Sequence, residues 1–134
     1  MCKIDEDKKL KIWEKAREIE GYDPALYRKD ACGAWIAFND YQNRDSVYGW
    51  EVDHIFPLSR LKDIGVDQID IDNLKNLRPL NWKNNVSKGA DYPSYRAVCV
   101  AEGNKNIEVV KELVVNHTIR EIIKELYKDY NIKW

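Results

Sequence analysis

An Asp-His pair, Asp53-His54, is followed along the chain by a succession of asparagines: Asn73, Asn76, Asn81, Asn84 and Asn85. Phosphodiester hydrolysis is one chemistry open to these residue types. Hydrolysis of a phosphodiester needs a water stripped of a proton, an in-line approach, and compensation for the charge that grows on the leaving oxygen. A neutral imidazole, with an ordinary pKa near ~6.5, can take the proton at physiological pH. A divalent metal can compensate the charge as a Lewis acid. A hard metal takes oxygen ligands and is held by only one or two protein groups, keeping water and phosphate for the rest. His54, Asp53, Asn76 and Asn85 fit these needs. Singly, each also has a plainer reading. His54 could be an ordinary core or surface histidine, Asn76 a turn residue held by its own side chain, and Asn85 a helix-start residue, while Asp72-Asn73 could cap the segment that follows.

The elements around these residues decide whether they can meet. Residues 50–56 read as a strand, which Pro57 ends because proline cannot donate to a ladder. Residues 58–71 read as a connection with a turn at Gly65, and residues 76–80 as the returning strand. Asn81 suits a helix N-cap, and residues 82–88 a short helix closed near Gly89. Successive side chains on a strand point to opposite faces, so Asp53 and His54 share a site only if the strand ends or bends there. Asn85 follows Asn81 closely, which sets the helix start near the strand end.

The first segment reads Trp50-Glu51-Val52-Asp53-His54-Ile55-Phe56-Pro57, and the second Asn76-Leu77-Arg78-Pro79-Leu80-Asn81-Trp82-Lys83-Asn84-Asn85. In this order they resemble the HNH nuclease family over residues 49–89. The resemblance implies a ββα hairpin and helix around one metal ion. It implies His54 as general base, Asp53 and Asn85 as metal ligands through oxygen, and Asn76 as the brace of the loop between the strands that helps to orient the histidine. The CRISPR effector HNH domains, with Asp-His and a final Asn, are the more similar branch. Many members carry Cys-x-x-Cys pairs for a structural zinc, whereas here Asn81 and Asn84 stand at the positions of the second pair. A structural zinc is therefore not expected, and an oxygen ligand set favours magnesium or manganese. The implied activity is metal-dependent endonuclease cleavage of DNA, a hydrolase reaction. The rival expectation is a non-catalytic nucleic-acid-binding or interaction module that keeps the ββα fold.

Composition sets the remaining bounds. The chain has 134 residues, 44% hydrophobic and 34% charged, which predicts one globular domain over residues 1–134. No apolar run reaches the ~18 to 20 residues of a membrane span, and the charged N-terminus lacks a signal-peptide core. Cys2, Cys32 and Cys99 are an odd number at wide spacings, which predicts reduced, partly buried thiols and a cytoplasmic location. Net charge is −1, with 22 basic and 23 acidic residues, so DNA binding requires local segregation of charge. Arg78, Lys83 and Lys88 are the candidate phosphate contacts among the basic residues that flank the motif. A chain with one site would nick one strand as a monomer and needs a homodimer to cut both.

The overall expectation is an α+β fold: the ββα core with an N-terminal helix, an added β-hairpin and a C-terminal helix. Apolar spacing predicts the N-terminal helix over residues 5–19, stopped at Gly21. One more helical turn is expected at residues 25–29, and a short strand at residues 33–38. Residues 95–101 and 107–115, punctuated by Gly103-Asn104, predict the hairpin. Asn116 then caps a helix whose inner side carries Ile119, Ile122, Ile123, Leu126 and Tyr130. Trp35, Trp50 and Trp82 are read as packing residues, and Tyr41, Tyr48, Tyr92 and Tyr95 lie closer to loops.

Overall fold

A computed structural model describes residues 4–134. Helix α1 (Glu6–Trp13) starts at Asp5, whose side chain accepts from the Lys8 N–H at 2.8 Å. It stops short of residue 19 because the chain is drawn into an extended bridge. Arg17 and Lys29 exchange backbone hydrogen bonds of 2.9 and 3.0 Å. Lys29 belongs to β1 (Tyr27–Lys29), which stands where a helical turn was expected and pairs antiparallel with β2 (Trp35–Ala37). Of the predicted apolar side of α1, Ile12 and Trp13 are fully buried while Leu10 is exposed.

Strand β3 (Trp50–His54) pairs antiparallel with β4 (Leu77–Asn81), with Trp50 opposite Asn81 and His54 opposite Leu77. Gly49 leads into β3, where a Cβ would lie 1.9 Å from the Asn43 carbonyl oxygen, so only glycine permits this approach. Pro79 sits inside β4 opposite Val52. Two residues further on, Asn81 donates its N–H to Asp30 Oδ2 at 2.9 Å and not to β3. Alternation therefore puts the missing N–H of Pro79 on the outer edge of the pair, where it interrupts no ladder bond.

Between β3 and β4 lie two helices that the sequence pattern did not predict, α2 (Leu58–Asp63) and α3 (Gln68–Ile71). Each is too short to show a helical period. Gly65 turns between them at φ +80°, and Leu61, Val66 and Ile71 bury their side chains. Helix α4 (Trp82–Lys88) follows β4 directly. The Asn81 side chain caps it by accepting from the Lys83 N–H at 3.0 Å, and Gly89 closes it at φ +51°.

β5 (Ser94–Glu102) and β6 (Lys105–Val114) form the expected hairpin, and α5 (His117–Leu126) the expected last helix. Asn116 caps α5 by accepting from the Ile119 N–H at 2.8 Å. The anchors that fix α5 and the turn after it are Ile123 and Tyr127, both fully buried, whereas Ile122 is 41% exposed. The result is an α+β fold of five α-helices and three two-stranded antiparallel sheets among the described residues.

Apolar side chains gather in two clusters. Trp50 and Leu77 join Ile12, Trp13 and Ile36 in the smaller, and Ile55, Phe56 and Leu80 join Tyr95, Ile123 and Tyr127 in the larger. The β3–β4 pair thus runs between two cores, and full burial of each large apolar side chain contributes about 1.5–3 kcal/mol. Cys32 and Cys99 are free thiols in this interior, pushed up by burial to about 12 and about 11. Cys2 lies outside the described residues.

Candidate active site

Asp53 and His54 end β3, and Asn85 lies in the middle of α4. All three line one open cleft of about 380 Å³ whose far wall is Pro57, Leu58 and Ser59 at the start of α2. Strand alternation still governs what each side chain touches. Glu51 and Asp53, two residues apart, both reach α4. Glu51 Oε1 accepts from Asn85 Nδ2 at 3.0 Å, and Asp53 Oδ1 meets Lys88 Nζ at 3.2 Å. His54 turns the other way, placing Nε2 2.8 Å from Oδ1 of Asp72, just past α3. Asp53 and His54 meet at the cleft because the strand ends there.

Asp53 is 3% exposed and has no free oxygen. Its second oxygen, Oδ2, accepts from Arg78 Nε at 2.9 Å, and Arg78 is its direct cross-strand neighbour. One carboxylate therefore lies between two buried cations. Burial pushes the Lys88 ammonium below its ordinary value, and Asp53 opposes that shift. The Tyr95 ring lies 5.2 Å from the Arg78 guanidinium carbon, and Arg78 Nη2 is buried without a hydrogen-bond partner. Such a triad holds together only as a unit, because removing one charge strands another in low dielectric.

The three residues expected to meet phosphates thus part company. Arg78 and Lys88 are 6% and 1% exposed and are both bonded to Asp53. Lys83 alone has an exposed ammonium, 3.4 Å from Glu108.

Asn76 is fully buried. Its Oδ1 accepts from the Phe56 N–H at 2.8 Å, and its Nδ2 donates to the Phe56 carbonyl at 3.2 Å. Its backbone carbonyl accepts from the Ile55 N–H at 2.8 Å. These bonds tie the exit of β3 to the entrance of β4 and hold His54 beside the cleft. Asn85 is fixed by Glu51, which Arg44 grips with two bonds of 2.7 and 3.0 Å. A carboxylate only accepts, so it takes the NH₂ of Asn85 and leaves the amide oxygen open as an acceptor. Burial alone would raise the Glu51 carboxyl, yet bonds from Arg44 and Asn85 hold it below its ordinary value.

Asn81 and Asn84, which stand at the zinc-pair positions, are fully buried and saturated with hydrogen bonds. Asn84 donates to Asp30 Oδ2 at 3.2 Å and to the Cys99 carbonyl at 2.9 Å, and accepts from the Val98 and Cys99 N–H groups. Asp30 Oδ1 accepts from Cys32 and Ala34 N–H, both at 2.9 Å. This polar knot fastens α4 to the β1–β2 turn and to β5. Asp30 and the orienting carboxylate Glu51 were not singled out from the sequence, and Asp72 was read only with Asn73 as a cap, a role that Asn73 takes by accepting from the Lys75 N–H. Glu51 had a signal, since it shares a strand face with Asp53. Asp30 and Asp72 had none for their distant partners, Asn81 and Asn84 for the first and His54 for the second, which lie 18 to 54 residues away.

No group of three His, Cys, Asp or Glu side chains among the described residues converges to hold a metal. The donors that do share the cleft, the Asn85 oxygen and the Asp53 carboxylate, suit a hard cation that keeps most of its water. Such a cation would have to share Asp53 with Lys88, which sits 3.2 Å from Oδ1. Comparison with protein-family models, with curated proteins and with solved structures gives no match. No helix among the described residues is long and apolar enough to cross a membrane.

Proposed function

We propose that the chain is an HNH-type endonuclease that hydrolyses phosphodiester bonds in DNA, with β3, β4 and α4 as its ββα core. One observation carries this reading: Asp53, His54 and Asn85 line the same open cleft where the strand pair meets the helix. His54 takes the proton of the attacking water. Asn76 keeps the imidazole at the cleft by bracing the chain that follows it. Asn85 and Asp53 would hold the metal, magnesium or manganese, which when bound offsets charge on the phosphate and the leaving oxygen. Lys83 is the cation of the candidate set that can reach a phosphate.

The test is supercoiled plasmid incubated with the protein in magnesium or manganese. Nicking is expected, with EDTA stopping it and leaving the melting temperature unchanged. His54→Ala should lower the nicking rate by ~10²- to 10⁴-fold while folding normally. Unaltered nicking by folded His54→Ala protein would remove the assignment. A second reading, a binding module without catalysis, draws on the two cations already seated on Asp53. It predicts DNA retention with no cleavage in any divalent metal.

A further inference from the structure

We propose that Asp72, steadied by Gln68, is a positioning residue that locks neutral His54 with its proton on Nε2 and so makes Nδ1 the base. The catalytic half of this rests on the reading of His54 as a general base, and the tautomer itself does not.

The geometry is a hydrogen bond of 2.8 Å between His54 Nε2 and Asp72 Oδ1. An ionised carboxylate can only accept, so the shared hydrogen belongs to Nε2. A neutral imidazole carries one N–H, which leaves Nδ1 with its lone pair. Asp72 is held ionised. Burial alone would raise its carboxyl, but hydrogen bonds from His54 and Gln68 outweigh burial and keep it below its ordinary value.

The arrangement has depth behind it. Gln68 Nε2 donates to the other carboxylate oxygen at 2.8 Å, which stops the group from rotating away. The Asp72 backbone carbonyl accepts from Lys8 Nζ of α1 at 2.7 Å. The Asp72 and His54 side chains are 15% and 12% exposed, so little water competes for the bond. His54 lines the cleft and Asp72 does not. With Asp72 on Nε2, Nδ1 is the ring nitrogen to which no partner among the described residues is bonded.

In the reaction a water O–H bond breaks and an N–H bond forms at Nδ1. The electron pair left on oxygen attacks phosphorus, and the leaving oxygen departs with the electrons of the broken P–O bond. The imidazolium that results carries its charge against Asp72. The same logic operates when a buried aspartate orients a catalytic histidine in hydrolytic triads, where loss of the carboxylate charge costs ~10⁴-fold by allowing the wrong tautomer.

The test is long-range ¹H–¹⁵N NMR of histidine-labelled protein at a pH where His54 is neutral, read beside plasmid kinetics. Wild-type His54 should show a protonated Nε2 and a bare Nδ1. Asp72→Asn can donate as well as accept, so it should release the lock and give a mixture or the Nδ1–H form. Nicking should then fall by ~10²- to 10⁴-fold in kcat with KM for DNA within about twofold, and Asp72→Glu should recover part of the loss. Should Asp72→Asn fail to fold, Gln68→Leu frees the carboxylate and should mix the tautomers to a smaller extent. A wild-type His54 found as Nδ1–H overturns the proposal, as does Asp72→Asn protein that keeps both the tautomer and full kcat. A locked Nε2–H tautomer in a protein that never cuts DNA would instead remove the nuclease reading and with it the base role, leaving the orientation assigned here.

Discussion

Asp53 shows how far one residue's meaning depends on its neighbours. Sequence reasoning treats it as a carboxylate facing a metal, so its removal should affect cleavage and little else. In the fold it is also, among the described residues, the only carboxylate bonded to Arg78 and Lys88, both almost fully buried. Asp53→Ala leaves two cations in a low-dielectric interior without their partner. Breaking a buried ion pair in this way costs about 3–5 kcal/mol, a large share of the stability of a domain this size. Urea unfolding of Asp53→Ala should therefore show a midpoint far below wild type, with cleavage lost because the protein is partly unfolded. A near-normal midpoint would show that Arg78 and Lys88 find other partners, and Asp53 would then be free to serve the cleft alone. His54→Ala is the cleaner probe, since it removes one face of a hydrogen bond near the surface and strands no internal cation.

At the scale of elements, legibility followed the length and regularity of the pattern. The Gly-Asn turn between two valine-rich runs gave β5 and β6, and asparagine caps gave the starts of α4 and α5. These signals are local, so they survive without tertiary information. α2 and α3 left no period to read, and the end of α1 was decided by a backbone bridge to Lys29. The candidate site was legible as a set of types in order, but not its hydrogen bonds. Asp53 meets Arg78 through strand register, and register depends on a connection the sequence did not resolve. The polar knot at Asp30 is the clearest case of hidden structure. Its two oxygens take four N–H donors, from Cys32, Ala34, Asn81 and Asn84, and so join three parts of the fold. Asp30→Asn turns one oxygen into a donor facing two donors. Each buried unsatisfied group costs about 1–3 kcal/mol, so a loss of about 3 kcal/mol or more is expected by urea unfolding, and EDTA should add nothing to it. If Asp30→Asn unfolded like wild type, α4 would be held by its other ties, those of Asn84 to β5, Asn85 to Glu51 and Lys88 to Asp53.

For the molecule as a whole the question is how a chain of net charge −1 would hold a polyanion. The motif's basic residues suggested three phosphate contacts, Arg78, Lys83 and Lys88, and each neutralised phosphate contributes about 0.9 to the slope of log affinity against log salt. Two of the three are internal. Arg44 is gripped by Glu51, and Arg96 by Glu112 at 2.8 Å. That leaves Lys83 on α4, 3.4 Å from the exposed Glu108, and Arg60, Lys62 and Lys75 do not line the cleft. DNA binding should accordingly be weak and only mildly salt-dependent, with a slope of about −1 to −2 and not the −3 of three contacts. Fluorescence anisotropy of a labelled duplex in calcium, which fills a hard-metal site while supporting little chemistry, gives this slope directly. Lys83→Ala should lower affinity and make the slope shallower by about 0.9, with cleavage partly restored at high DNA concentration. Lys88→Met should leave the slope as it is and act through stability. A wild-type slope near −3 that fell on Lys88→Met would mean that Lys88 and Arg78 leave Asp53 when DNA arrives. The carboxylate would then be exchanged from cations of the chain to a cation in the cleft, and the buried triad would be the resting form of the site.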